Sequence, residues 1–519
     1  MHITKVISVN YKRYTKFSQE FDDKMNILVW DNESGKSSIL LGIDLVLSGS
    51  RSKVESIWLE NLLNREVTEA FLGLEKKTVA DLPKLIFEVY LSETWLEDLN
   101  GKNNESLIEC DWLRLICEPN LEYSKELLEA LKNSPENFPY EFYSISFKTF
   151  SWEGFSWYKK YLRHILIDHS NMSSEYAIRE YTKDMYLSQV VTHRERAKFQ
   201  NEYRKSKEDF VKWSLDSINK VLPTYNFWIR TSSKSNLETD LIIVEDWINI
   251  EHKGKWRQCF VKTEFALNKS IHETLDVVLI EEPENHLSHL NMNKLISSIQ
   301  ASKGWQLFIA THNSLISSRL DLRKVILLSP NEKMKWVQLK DIPTSTAAYF
   351  IKAPNHKILE YILSKKVILV EWDAEYILLE HFLSKVDKDL INNVTILTVG
   401  WTSFKRFLEL WKILKIKTAV IRDNDGNHNA NCIVNYSWFV VSDLIEIFFE
   451  TDNLINTFEV ALYQKNKDLC DKLFWTDRIT LSVQDYMLKN KTTTAITLLE
   501  DGDVLAPDYI SNAIEWIKK

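Results

Sequence analysis

The chain has 519 residues, a net charge of −8, 45% apolar and 27% charged residues. That length holds two or three domains with a large core, and the acidic balance excludes a broadly basic nucleic-acid coat; any nucleic-acid contact must be a local basic patch or bridged by metal. No apolar run reaches the roughly 18 residues that span a bilayer, and Cys110, Cys117, Cys259, Cys432 and Cys470 show neither metal spacing nor a disulfide framework, so the expectation is a reducing cytoplasm and no membrane.

From the N-terminus, strand patterns appear at Ile3–Val9 and Ile27–Val29, and the second runs into ILVWDNESGKSSIL, residues 27–40. This fits the phosphate-binding pattern G-x-x-x-x-G-K-[ST] except that Trp30 stands at its first glycine. Backbone N–H groups around such a loop form an anion nest, and the following helix adds its positive end. Lys36 is placed for the β- and γ-phosphates and Ser37 for Mg²⁺, with Asn32, Gly35 and Ser38 completing the nucleotide contacts. Glycine is scarce, 11 in 519 residues against roughly 7% in ordinary chains, while tryptophan occurs 18 times. Trp247, Trp256, Trp372 and Trp401 sit, like Trp30, where turns are expected. Glycine tolerates positive φ and a ligand against the backbone, and an indole tolerates neither well. The distribution predicts that many of these tryptophans occupy glycine positions.

Strands are expected again at 85–91, 113–117 and 141–150, then a charged, helical stretch over 160–225 that includes Arg194, Arg196, Lys198, Arg204, Lys205 and Lys207. That helix could line a nucleic-acid path, but interleaved Glu195, Glu202, Glu208 and Asp209 favour a solvated helix face. Strand patterns resume at 227–230 and 241–245. Residues 277–284, VVLIEEPE, read as a buried strand ending in carboxylates, with Glu281 suited to organise Mg²⁺ and Glu282 to activate the attacking water. A second buried strand ends at His312, a position resembling that of the γ-phosphate sensor in ABC-type ATPases. Between them, residues 284–287 resemble a loop that crosses to a partner subunit, and GKWRQ at 254–258 resembles a worn signature segment. Those pieces, in that order, resemble an ABC-type ATPase that sandwiches ATP between two heads.

A boundary is expected at 340–365, followed by strands at 366–370, 394–399, 418–421 and 438–441 separated by helices, which is the alternation of a parallel α/β sheet. The first ends in Glu371, Asp373 and Glu375, and the third in Asp423 and Asp425. Carboxylates crowded at strand ends repel one another unless hard cations such as Mg²⁺ or Mn²⁺ lie among them. Two such ions activate water and stabilise the leaving oxygen of a phosphodiester. Asp443 and Glu446, after the fourth strand, are candidates to complete the second site, and Lys491 to stabilise charge on the phosphate. Glutamate on one strand end and Asp-x-Asp on a later one resemble the Toprim fold.

An ABC ATPase with inserted helices followed by a Toprim domain resembles the OLD (overcoming lysogenisation defect) family of ATP-linked nucleases, in layout most similar to the class that includes the nuclease subunit of the Gabija anti-phage system. The resemblance implies an ATPase head over 1–160 and 226–345, a helical dimerisation insertion over 161–225 and a Toprim nuclease over 360–519. It implies a nucleotide-regulated endonuclease of duplex DNA in anti-phage defence, a homodimer or homotetramer, and a UvrD-like helicase as partner. Carried over to this chain, Lys36, Ser37, Glu281, Glu282 and His312 serve ATP; Glu371, Glu375, Asp423, Asp425 and Glu446 serve metal; Glu371, Asp423, Asp425 and Lys491 serve catalysis. An RNA- or tRNA-cutting effector and a repair ATPase without nuclease activity remain alternatives. Trp30, Trp256, Trp372 and Trp401 depart from the pattern, and they bear on both activities.

Overall fold

The computed structural model describes residues 1–29, 36–93, 96–149, 154–155, 161–168, 182, 186, 193–221, 226–229, 236–254, 257–258, 261, 276–285, 288–301, 304–313, 320–328, 336–353, 357–400, 403–475, 481–501 and 503–519. The chain divides into two compact units, Met1–Leu28 with Gly35–Thr311, and Val29–Ser34 with His312–Lys519.

The first unit opens with β1 (Ile3–Tyr11), β2 (Tyr14–Glu20) and β3 (Met25–Val29), and continues with β4 (Leu85–Leu91), β5 (Asn100–Gly101), β6 (Cys110–Pro119) and β7 (Tyr143–Thr149). One sheet runs β2-β1-β4-β6-β5, with β7 also on β6, and its pairs are antiparallel. From Lys16 to Glu20, β2 alternates exposed and buried positions, as a strand with one wet face must. A second sheet holds β3, β12 (Gln306–Thr311), β11 (Val277–Glu281) and β8 (His164–Asp168) in that order, with β11 parallel to both of its neighbours. All of β11 and β12 is buried, the signature of parallel strands covered on both faces.

Helix Lys36–Ser48 packs against the antiparallel sheet through Gly42, where a Cβ would lie 2.1 Å from the Phe87 ring. Gln306 ties the N-terminus to the core: its side-chain oxygen accepts from the Ile3 N–H at 2.7 Å, and its amide donates to the Ile3 carbonyl at 2.7 Å.

The structure differs from the sequence expectation at several places in this unit. Within the stretch expected to be helical, His164–Asp168 is a strand in register with β11, because its apolar run pairs with a buried neighbour. Among the described residues of that stretch, helices form at His193–Ser214, 22 residues long, and at Asp216–Asn219. Residues 226–229 form no strand, and the strand expected at 241–245 shrinks to a two-residue hairpin of β9 (Val244–Glu245) and β10 (Ile248–Asn249).

In the second unit β13 (Val325–Leu328) pairs antiparallel with β14 (Trp336–Gln338). Beyond them β15 (Lys366–Val370), β16 (Thr395–Thr398), β17 (Lys417–Ile421) and β18 (Ile445–Phe448) form an all-parallel sheet in the order β16-β15-β17-β18. Helices Asp373–Val386, Phe458–Lys465, Lys491–Asp501 and Asp508–Lys518 contribute to one apolar core with it, Leu378, Phe382, Leu498 and Ile514 among its members. The stretch at 340–365 lies inside this unit, and the described part of it carries two helices, Thr344–Lys352 and Ile358–Leu363, whose Phe350 and Tyr361 are fully buried. The fourth strand lies at 445–448 rather than 438–441. IEIF pairs with Thr418–Ile421, whereas residues 437–439 make a turn. No helix among the described residues is long and apolar enough to cross a membrane.

Candidate functional site

Helix Lys36–Ser48 follows the expected phosphate loop in sequence, and three contacts fix it. The Tyr11 hydroxyl donates to the Ser38 carbonyl at 2.8 Å. Asp44, buried on the same helix, meets Lys53 Nζ at 2.7 Å and His164 Nε2 at 3.1 Å. Burial works against the charge on Asp44, and Lys53 and His164 outweigh it, holding the carboxyl down to about 2. Ser37 donates its hydroxyl to Glu281 at the end of β11, so the hydroxyl and the carboxylate expected to share Mg²⁺ stand together.

Glu282 turns out of the strand at φ +47°, with its N–H bonded to the Ala310 carbonyl at 2.8 Å. Glu284 is buried and accepts from the Thr311 hydroxyl at 2.6 Å; burial raises its pKa, Thr311 opposes that and Glu282 adds to it. Glu284 is therefore anchored to β12 rather than offered outward, and His312 follows Thr311 directly. Gln258 of the proposed signature segment is buried and donates to the Glu251 and Lys253 carbonyls at 3.1 and 2.8 Å. Trp30, Asn32, Gly35, Trp256 and Trp401 lie outside the described residues, as does the side chain of Lys36. Sequence reasoning missed Lys12. It sits in the β1–β2 turn at φ +49°; burial lowers its pKa, and the nearby Glu281 carboxylate pulls it back up.

The second unit gathers the other constellation at the C-terminal ends of its parallel strands. Glu371 follows β15 and Asp423 follows β17; both are buried. Glu375, one turn into helix Asp373–Val386, turns its Oε2 back to the N–H groups of Glu371 (2.7 Å) and Trp372 (2.8 Å). Glu375 thereby caps its own helix and holds the turn that carries Glu371, and only its Oε1 is left for another partner. Asp423 accepts from the Phe458 N–H at 2.7 Å. That bond draws the start of helix Phe458–Lys465 onto the site and brings in Glu459, which sequence reasoning also missed. Glu459 is buried, and its Oε1 pairs with Lys491 at 3.0 Å. The Lys491 ammonium also lies 5.5 Å from the centre of the half-exposed Trp372 ring. Asp425 projects toward solvent at φ +48°, 3.6 Å from Arg422, and Gly426 at φ +79° completes its turn.

The electrostatics are those of too many acids in one place. Burial first, then Glu459 and Glu371, pushes Asp423 up to about 8. Burial also raises Glu371, with Arg422 opposing and Asp425 adding, and it drives Glu375 well above its ordinary range with Asp423 adding. Glu371 Oε2, Glu375 Oε1 and Glu459 Oε2 are buried acceptors with no hydrogen-bond partner. An all-oxygen set of this kind, short of donors, fits a hard divalent cation.

Two expected members do not join. Glu446 lies inside β18, level with Ala419 in mid-sheet, and burial alone raises its pKa. Asp443 is an exposed turn residue at φ +66° whose charge is felt by Lys417, at the opposite end of β17 from Asp423. Both were placed by a strand set seven residues too early; the acid that the structure brings beside Asp423 is Glu459.

Residues 362–425 match the family model described as "Overcoming lysogenization defect protein-like, TOPRIM domain". No curated protein sequence matches the chain. Among solved structures, the C-terminal region of the Burkholderia pseudomallei OLD protein is similar at 20% identity and a TM-score of 0.23, over 30% of this chain and 98% of that one. The SMC head domain from Thermotoga maritima is similar at 10% identity and a TM-score of 0.31, over 65% and 99% of the two chains. An Smc head domain with an extended coiled coil, bound to the C-terminal domain of ScpA derived from Pyrococcus furiosus, is similar at 12% identity and a TM-score of 0.31, over 65% and 97%. The stretch that carries Glu371, Glu375, Asp423 and Asp425 is thus similar to an OLD-like Toprim domain.

Proposed function

We propose that this chain is a divalent-metal-dependent endonuclease acting on duplex DNA in anti-phage defence, with its phosphate-loop unit binding ATP and regulating the cut. The observation that carries the reading is the trio of partnerless buried oxygens on Glu371, Glu375 and Glu459 around an Asp423 pushed up to about 8. Buried carboxylate oxygens left without donors are costly unless cations join them. Glu371, Asp423, Asp425 and Glu459 would hold Mg²⁺ or Mn²⁺, with Glu375 fixing the turn that presents Glu371. When bound, such ions supply an activated water and neutralise charge on the phosphate.

The chain's own groups then divide the work. Lys491, whose ammonium pairs with Glu459, brings positive charge to where phosphate charge develops, and the Phe458 N–H holds Asp423 in one orientation. Ser37 and Glu281 would hold the Mg²⁺ of the nucleotide. A homodimer or homotetramer and a UvrD-like helicase partner belong to the same reading.

The test is nicking of supercoiled plasmid with Mg²⁺ or Mn²⁺. Wild type should nick, and Glu371→Ala should lower the rate by about 10²-fold or more, the usual size for loss of an electrostatic catalytic group. Equal nicking by both proteins would overturn the assignment. Cutting of RNA but not plasmid would move the substrate class.

A further inference from the structure

Two tryptophans stand in backbone conformations that belong to glycine. Helix Arg51–Ile57 ends at Trp58, whose N–H bonds to the Glu55 carbonyl and whose φ is +69° with ψ 133°. Left-handed residues that do carry a side chain sit near ψ +30 to +60°, and a ψ far outside that well at positive φ is nearly confined to glycine. The position just past a helix is also where glycine most often ends one. Trp58 gains no burial in return, since it is 73% exposed.

Trp247 is the second case. β9 and β10 pair with Glu245 opposite Ile248, which leaves a two-residue loop of Asp246 and Trp247. Both residues have positive φ, +52° and +62°. That is the type I′ hairpin turn, whose preferred sequences are Asn-Gly and Asp-Gly. An Asp-Trp loop has the first residue of that pair and the wrong second one, and the indole is 99% exposed.

Trp112 shows what a tryptophan suited to its place does here. It is 1% exposed, has no positive φ, and its indole N–H donates to the Gly101 carbonyl at 3.2 Å. The contrast separates tryptophans held by packing from tryptophans imposed on turns.

We infer that positions 58 and 247 are glycine positions, and that the chain made in its own host carries glycine there, because a codon written here as tryptophan is read in that host as glycine. The inference stands on backbone geometry and is independent of the nuclease reading. Trp30 at the first glycine of the phosphate loop is the same misfit seen in sequence. One reading of the codon accounts for all three positions, whereas separate decay of each turn would not choose one replacement every time.

Peptide mass spectrometry of the protein purified from the organism that encodes it decides the matter. Glycine at 58 and 247 is expected, with tryptophan absent from both; intact tryptophan at either position overturns the inference. A second measurement needs no native source. In the chain as written here, Trp58→Gly and Trp247→Gly should each raise the thermal midpoint by about 2–4 °C as left-handed strain is relieved, while Trp112→Gly should lower it. A fall in midpoint from either turn variant would also overturn the inference.

Discussion

Two buried aspartates, one in each unit, are driven in opposite directions. Asp44 is held down to about 2 because Lys53 and His164 close on it and outweigh its burial; Asp423 is pushed up to about 8 by burial first and then by Glu459 and Glu371. Both side chains are out of water, so burial alone does not separate them. The difference lies in what each was buried with. A charge met by a cation and a hydrogen-bonding ring of the chain itself is part of the scaffold, whereas a charge met by more of its own sign is left for something from outside.

The comparison breaks most directly at Asp44. Asp44→Ala leaves Lys53 and His164 facing an empty place and should cost about 3–5 kcal/mol in denaturant unfolding, the scale for removing one partner of a buried pair. Its pH dependence has a definite sign. A depressed folded-state pKa gives stability that is present above the ordinary aspartate range and lost as pH falls toward about 2. The wild-type chain should therefore lose more stability than Asp44→Ala between pH 4 and pH 2. Parallel loss in the two proteins would show that the pair holds nothing together.

Asp423 has the opposite sign. Its raised folded-state pKa gives stability that is complete below the ordinary aspartate range and lost as pH rises through about 8. Metal-free protein should unfold at falling temperature between pH 4 and pH 8, and Mn²⁺ at a hundredfold excess over its dissociation constant should restore about 2.7 kcal/mol. Differential scanning fluorimetry with and without Mn²⁺ reads this. An equal rise in Asp423→Asn would place the ion elsewhere.

The smallest effect sharpens the first unit. Gly42→Ala would put a Cβ 2.1 Å from the Phe87 ring and should cost about 1–3 kcal/mol in denaturant unfolding, the range for overpacking. A neutral result would mean that helix Lys36–Ser48 can shift without disturbing the sheet.

Much of this was legible before the structure. Val277–Glu281 and Lys366–Val370 could be read because parallel strands buried on both faces leave unbroken apolar runs, and carboxylates at their ends stand out against them. The fourth strand of the second unit could not. Val440 and Val441 look as strand-like as Ile445 and Ile447, and only pairing with β17 decides between them. The slip carried Asp443 and Glu446 into the site. Glu459 left no signal of its own, since it reads as an ordinary acid in the first turn of a helix, and it joins the cluster through the Phe458 N–H bond to Asp423. Lys12 was hidden for a similar reason: a lysine in a tight turn gives no hint that the turn reaches Glu281.

On the proposed metal-binding reading, the acids of the second unit would also make cation uptake a proton exchange. Near neutral pH Asp423 still carries much of a proton, and Glu375 is raised well above its ordinary range, so an arriving ion must expel acid into the medium. Calorimetric heats of Mn²⁺ binding would then depend on the ionisation enthalpy of the buffer. The apparent affinity would climb with each unit of alkalinity and level off only once the carboxylates have already emptied.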